Sequence, residues 1–234
     1  MLDVIMRLAA SNASKQFQSL DSIANNVANY NTTGYKAKRF EQFLTSDDRL
    51  EGIQRVDASK GQAMITKRQL DIAIDGFGYI PVTQPDGTTA YTRDGSLTLN
   101  SQGFLVSNRG DIVGDGIKIP IDYDTIQIHP DGAVKVKNTG EQDYKVVGKI
   151  TLSRFANPEA LKNLGYNKLA VTDESGQPIS DPDSKIKQGA LERSNVNIHA
   201  QVENILRLNA SLISNIRIIK FADDLYRQSV NLKQ

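Results

Sequence analysis

Cysteine is absent from the 234 residues, which excludes disulfides, thiolate metal sites and a cysteine nucleophile while leaving the compartment open. An excess of either charge is also missing: 28 Lys and Arg against 27 Asp and Glu leave a formal net charge of +1. That is too little for a protein held on nucleic acid by a broad basic surface. The one basic cluster, Lys36, Lys38 and Arg39, is short, broken by Ala37, and reads as a solvated helix exit. No run of about 18 apolar residues is present to span a membrane. Met1 to Ala10 carry Asp3 and amphipathic spacing instead of a basic region followed by an unbroken apolar core, so they do not form a Sec-type signal peptide. A chain of this kind working outside the cytoplasm leaves by another route. Internal repeats and low-complexity tracts are absent too.

What is present lies first at the two ends. Leu2, Met6, Ala9, Ala13, Gln16, Leu20, Ile23 and Val27 recur at three- and four-residue spacing, the pattern of a helix that packs on another helix. Only Gln16 interrupts it. A second seam runs Ile198, Val202, Ile205, Asn209, Leu212, Ile216, Ile219, Asp223, Tyr226 and Val230, with Asn197 placed to cap its first turn. At a rise of about 1.5 Å per residue the two helices are roughly 40 and 50 Å long, well beyond the globular mean of about 11 residues. The second helix carries further apolar residues off its seam, at Leu206, Leu208, Ile213, Ile218 and Phe221, more than a two-helix contact requires. The first is nearly uncharged on its other faces, which suits burial among several neighbours, because hydrogen-bonded amides and hydroxyls are far cheaper to bury than unpaired charge. The alternative is an ordinary pair of buried helices in a monomer. Length and the wide apolar face favour assembly.

Between the ends the period changes. The helical pattern dissolves at Asn29-Tyr30-Asn31-Thr32-Thr33-Gly34, where Asn and Gly tolerate left-handed backbone. Residues 36–69 read as a linker-like extended segment containing Phe40 and Phe43. From Leu70, short apolar runs alternate with turn signals such as Asp75-Gly76, Pro85-Asp86-Gly87, Asp94-Gly95 and Pro130-Asp131-Gly132, which predicts strands joined by hairpins. The expected strands include Ile117 to Ile121 and Val146 to Phe155. Residues 156–188, rich in Pro, Gly, Asp and Ser, read as loops around one strand near Leu169 to Val171. The fold class is therefore α+β: a discontinuous, coiled-coil-like helical domain from the two termini with an inserted all-β domain, a compact sandwich or barrel-like set of hairpins. The divisions are 1–35 for the first helix, 36–69 for the extended segment, 70–190 for the β domain and 191–234 for the last helix.

Three blocks give the chain a family. Ser22-Ile23-Ala24-Asn25-Asn26-Val27-Ala28-Asn29-Tyr30-Asn31-Thr32-Thr33-Gly34-Tyr35-Lys36 closely resembles the N-terminal signature of bacterial flagellar rod and hook proteins. Leu70-Asp71-Ile72-Ala73-Ile74-Asp75-Gly76-Phe77-Gly78-Tyr79 with Ala90-Tyr91-Thr92-Arg93-Asp94-Gly95 is similar to a second block of that family. Gly189-Ala190-Leu191-Glu192-Arg193-Ser194-Asn195-Val196-Asn197 resembles a third, ahead of the last helix. The resemblance implies an axial structural protein of the basal body whose terminal helices form the inner layer of a tube, with the β domain outside. It implies as partners other copies of the chain, other rod and hook proteins and the flagellar type III export apparatus, through which the protein leaves without a cleaved signal peptide. The length and single modest β domain look like a rod protein of the proximal or distal type, since hook proteins carry larger outer insertions. The Gly-rich turn in Asp111-Ile112-Val113-Gly114-Asp115-Gly116-Ile117-Lys118-Ile119-Pro120 narrowly favours the proximal type. The chain departs from the family at Ala210-Ser211-Leu212, where relatives have Arg, one residue and an aromatic, although Asn215 and Asp223 stand where the family's Asn and Asp are expected.

Catalysis finds few ingredients. His129 and His199 lack metal-binding spacing. Asp122 with Asp124, and Asp181 with Asp183, lack the Gly and distal Glu of a calcium loop and read as turn caps. Asp75-Gly76-Phe77-Gly78 lacks the third glycine of a phosphate-binding turn. The reading is a non-enzymatic structural subunit without cofactor or metal, with no nucleic-acid partner and no direct membrane insertion, that packs helically through its seams into a torque-transmitting drive shaft around an export channel. Gln16, Asn209 and Asp223 are expected to fix the register of packing. The alternatives are a distal rod or hook-type axial protein and, from another class, a soluble β-domain binding module whose helices form a small closed oligomer.

Overall fold

The computed structural model describes residues 2–46, 49–140 and 143–231, with side chains described from Met6 to Gln228. The chain is α+β, with a helix at each end and a β-rich middle. It divides into two compact units. One gathers the described residues of 1–28, 38–55 and 196–234, and the other those of 29–37 and 56–195.

The first unit holds α1 (Leu2–Ala28), α2 (Ile198–Asn231) and a hairpin of β1 (Lys38–Leu44) and β2 (Leu50–Val56) whose last residue passes into the other unit. Neither helix contains Gly or Pro, so nothing in either sequence breaks a long rod. Asn197 caps α2 as expected: its Oδ1 accepts the Ala200 amide at 3.2 Å and its carbonyl the Gln201 amide at 3.0 Å. α1 ends at Ala28, and a turn closed by the Thr32 amide on the Asn29 carbonyl follows at once.

The second unit holds β3 (Ala63–Ile65), β4 (Ile72–Asp75), β5 (Ile80–Thr83), β6 (Thr89–Thr92), β7 (Leu97–Leu99), β8 (Leu105–Ser107), β9 (Ile112–Val113), β10 (Tyr123–Ile128), β11 (Ala133–Asn138), β12 (Lys145–Lys149), β13 (Ser153–Arg154), β14 (Lys162–Gly165), β15 (Lys168–Ala170), β16 (Ile179–Ser180), β17 (Lys185–Gln188) and β18 (Ala190–Glu192). Seven form one sheet in the order β14-β15-β6-β5-β9-β8-β7, and β10-β11-β12 form another. Two pairings reach far along the chain and return the end of this unit to its beginning, β17 on β4 and β18 on β3, while β16 pairs with the nearer β13. The main core is aliphatic, built around Ile72, Ile80, Leu97, Leu105, Ile126, Val134 and Ile150. A second cluster sets the Phe155 ring edge-on to Tyr79 and Tyr91, with centroids 5.7 and 4.9 Å away, an arrangement favoured by the ring quadrupoles.

Three strand expectations need correction. The run from Val146 to Phe155 is two strands, β12 and β13, interrupted at residues 150–152. Ile117 to Ile121 is not a ladder strand: Pro120 has no amide to give, Ile117 and Ile119 turn inward, and Ile121 is left exposed. Residues 156–188 hold four strands, β14 to β17, instead of one. Their apolar content is too small to show a period, because β17 has a single apolar residue, Ile186, and is held by its ladder to β4.

Candidate functional site: a buried charge node and the helix faces

Within the β unit, the three signature blocks converge on one carboxylate. Glu192 ends β18 almost wholly buried. Its Oε1 accepts from Lys36 Nζ at 2.6 Å and from the Gly61 amide at 2.8 Å; its Oε2 accepts from Arg93 at 2.7 Å. Lys36 and Arg93 are themselves buried, so Lys36 is not part of the solvated helix exit that its sequence suggests. Lys36 spends a second donor on the Ser59 carbonyl at 2.5 Å, and Arg93 donates to the carbonyls of Gly78, Gly76 and Ile74 at 2.6, 3.1 and 3.3 Å. The Asp75-Gly76-Phe77-Gly78 turn is thus a carbonyl cradle for a guanidinium, whose five donors suit such a fork. Burial pushes the Glu192 carboxyl up, but Arg93 and Lys36 outweigh it and hold the group below its ordinary value of 4.5. Burial is the largest influence on Lys36 and lowers its pKa, opposed by Glu192.

The residues around the node close it by backbone contact. The Gly34 amide donates to the Glu192 carbonyl at 2.8 Å. Gly34 has φ of +66°, and a Cβ there would lie 2.4 Å from the Asp94 nitrogen. A Cβ on Gly95 would lie 1.8 Å from the Ile72 carbonyl oxygen. Thr33 Oγ1 donates to Asp94 Oδ1 at 3.0 Å, and that oxygen also accepts from Ser96. Asn195 Oδ1 accepts the Ala37 amide at 2.7 Å while its Nδ2 reaches the carbonyls of Asp57 and Ser59, both at 3.0 Å. Burial pushes the phenols of Tyr35 and Tyr79 up to about 12, so both stay neutral. The arrangement has structural chemistry: one carboxylate answers two cations, and backbone carbonyls take the donors left over. Tyr91 packs in the aromatic cluster, and Thr92 Oγ1 accepts the Asp94 amide at 3.0 Å. Glu192 stands within the third block but is not singled out by sequence reasoning; an acid in an otherwise apolar strand, after Ala190 and Leu191, is the available signal.

In the helical unit, Asn26 serves the backbone. Its Oδ1 accepts the Lys38 amide and its Nδ2 donates to the Lys38 carbonyl, both at 2.8 Å, so the side chain pairs with β1 as a neighbouring strand does. It also donates to Gln201 Oε1 at 3.2 Å. Asn25 turns back to the Asp21 carbonyl at 2.7 Å, Ala28 is exposed, Asn29 Oδ1 accepts Thr32 Oγ1 at 3.1 Å, and Val196 is buried ahead of the Asn197 cap. Ser194 is half-buried.

The two helices are antiparallel, because Asn26 meets Gln201, Gln16 Nε2 meets Ser211 Oγ at 2.5 Å, and Asn12 Nδ2 meets Asn215 Oδ1 at 3.1 Å. The face of α1 turned inward carries Ala9, Asn12, Gln16, Ser19, Ile23 and Asn26; that of α2 carries Gln201, Ile205, Leu208, Leu212, Asn215, Ile219 and Ala222. Each seam read from the sequence therefore keeps one column and loses the other. Ala9, Gln16 and Ile23 lie inside, with Ala13 half-buried, while Met6, Leu20 and Val27 are exposed. Ile205, Leu212 and Ile219 face inward, while Val202 (50% exposed), Asn209, Ile216 (51%) and Tyr226 face out. The inner side is turned one position toward small and hydrogen-bonding residues, which let the backbones approach and match amide to amide. Of the three residues expected to set register, only Gln16 is buried: Asn209 points outward, and Asp223 pairs with Arg227 of its own helix at 3.0 Å. The side chains of Leu2 and Val230 lie outside the described residues.

The other candidates are structural. Asp181 Oδ1 accepts the amides of Asp183 and Ser184 at 3.2 Å, a turn cap. His129 is half-buried and His199 exposed. Among the described residues no group of three or more His, Cys, Asp or Glu is placed to hold a metal ion, and no helix is long and apolar enough to cross a membrane.

Comparison with known proteins agrees with this layout. The family model described as "Flagella basal body rod protein" matches residues 6–36, and that described as "Flagellar hook protein FlgE/F/G D1 domain" matches residues 73–136. The chain is 32% identical to the flagellar basal-body rod protein FlgG of Borreliella burgdorferi, with 97% of each chain covered. It is 31% identical to FlgG of Agrobacterium fabrum over 94% of this chain and 95% of that one. With the basal-body rod protein FlgF of Caulobacter vibrioides it shares 30% identity over 91% of each chain. The node built from Lys36, Arg93 and Glu192 thus joins a segment matched by the rod model to one matched by the hook-protein domain model, and the chain belongs to the flagellar basal-body rod and hook protein family, as a structural, non-enzymatic axial protein.

Proposed function

We propose that the chain is a subunit of the basal-body rod that polymerises helically, its terminal helices forming the inner, coiled-coil-like layer of a tube and its β domain the outer layer. The tube transmits torque as a drive shaft and encloses the channel through which later subunits pass. The observation that carries this reading is the division of labour on the helices. The intrachain contact consumes the amides and small residues and leaves Val202, Leu206, Ile213, Ile216 and Phe221 facing out, with Leu206 64% and Phe221 65% exposed. A row of large apolar side chains on one helix is a surface for other helices. Neighbouring copies and other rod and hook proteins supply them. Export by the flagellar type III apparatus is the route by which the subunit reaches the rod.

Within the rod, the Gly114 to Gly116 turn ahead of Ile117 narrowly favours the proximal over the distal type, and locating the tagged chain in isolated basal bodies decides between them. Electron microscopy of the purified chain across a concentration series tests polymerisation. Filaments whose length grows with concentration are expected, because a repeated head-to-tail contact that does not close makes an open helix. Particles of one fixed size at every concentration contradict it and favour a closed oligomer carrying an autonomous β domain.

A further inference from the structure

A tight turn on the β unit carries an aromatic side chain where the backbone least favours one. Gly165, Tyr166 and Asn167 have φ of +87°, +51° and +59°, and Gly165 pairs with Lys168 across the β14–β15 hairpin. This is a two-residue connection with left-handed backbone at both positions, where Asn, Asp and Gly are the favoured residues and a bulky side chain is strained. The Tyr166 ring gains little from its own chain. It is 71% exposed, and its one described ring contact is the Arg109 guanidinium, stacked 4.3 Å from the centroid. Arg109 in turn has no carboxylate partner among the described residues. An exposed cation stacked on a ring returns less than the strain costs. The turn therefore presents a fixed knob, aromatic and positively charged, that the isolated chain does not use.

A complementary hole exists elsewhere on the same unit. A cleft of about 310 Å³ is lined by Ile150, Leu152 and Ile186, which form its apolar floor, by Pro130 and Pro182, and by the exposed Asp131 carboxylate, on which the exposed Lys149 also acts. It shares no residue with the knob. Its apolar floor suits a ring, and its carboxylate suits a guanidinium.

We infer that the Arg109–Tyr166 knob of one copy docks into the Pro130–Pro182 cleft of a second copy, the ring on the apolar floor and Arg109 paired with Asp131. A knob and a hole on different parts of one surface make a heterologous contact, which repeats without closing and suits an open helical polymer. The contact adds an outer-layer bond to the helix packing and rests on the axial reading above.

The absence of native cysteine makes the test direct. Single variants Tyr166→Cys and Thr151→Cys, the second in the cleft wall, are mixed at polymerising concentration and mildly oxidised, with Tyr166→Cys plus Ser101→Cys as the control pair. Disulfide-linked heterodimers are expected from the first pair at least ten times faster than from the control. In a second arm, Arg109→Glu and Asp131→Lys each raise the concentration needed for assembly about tenfold, and the double reversal restores it. Equal cross-linking of the two pairs, or no restoration by the double reversal, overturns the contact. If the unmodified chain still forms filaments in that case, the axial reading survives and this contact alone is lost. Cross-linked dimers from a chain that never forms filaments would support the contact and contradict the axial reading.

Discussion

Glu192 is the residue on which the β unit depends most. Its carboxylate answers two buried cations, and replacing it leaves Lys36 and Arg93 without a counter-charge in an apolar setting. Glu192→Gln keeps the shape and removes the charge, so it is expected to lower unfolding stability by about 3–5 kcal/mol, the usual penalty for breaking a buried pair from one side, as measured by urea denaturation. The pH dependence has a definite sign. The folded-state pKa lies below the ordinary value of 4.5, so the contribution is complete above pH 4.5 and is lost as the pH falls through the folded value. Acid titration of the denaturation midpoint should fall more steeply below pH 4.5 for the native chain than for the Gln variant. Gly34→Ala meets two obstacles at once, a φ of +66° and a backbone atom 2.4 Å from the new Cβ, and is expected to destabilise the unit by more than about 1 kcal/mol in the same assay. The blocks containing Lys36, Arg93 and Glu192 could be recognised in the sequence, but their meeting could not. Their separation along the chain gives no period, and only the long-range return of β18 to β3 brings Glu192 to the two cations.

Each long element carries one half that was legible and one that was not. Both helices stand out by length and by the absence of Gly and Pro, and the Asn197 cap follows from its position. The inward face of each helix was displaced because apolar spacing marks every surface that will meet protein, whether of the same chain or of another. In α1 and α2 the amides Asn12, Gln16, Asn26, Gln201 and Asn215 take the intrachain side, and polar residues at seam spacing do not register as a seam. Ser211 is the partner of Gln16, a small hydroxyl opposite a long amide. The short strands β14, β16 and β17 were illegible for the opposite reason, too few apolar residues to show alternation. Asn26 offers the sharpest test at this scale. Asn26→Ala strips the Lys38 amide and carbonyl of their partner, which should cost about 1–3 kcal/mol for groups left buried and unpaired. Hydrogen exchange at the β1 amides is the measurement, with faster exchange at Lys38 expected.

For the whole molecule, the helical unit covers only part of the apolar surface of its long helices. Marginal helices gain most of their stability from packing, and here α2 leaves Val202, Leu206, Ile213, Ile216 and Phe221 outside. Circular dichroism is therefore expected to show helicity that rises with protein concentration, in step with assembly. Full helicity of both ends in dilute protein would contradict that. The central claim is that the outward columns, not the inward amides, are the polymerisation surface. Sedimentation velocity of the native chain beside the Val202→Ser/Ile216→Ser double variant tests it most directly. Because both positions are half exposed, the variant should keep the thermal midpoint of the β unit and remain monomeric at concentrations where the native chain forms species of continuously increasing size. A variant that assembles at the same concentration and to the same sizes as the native chain would contradict the account.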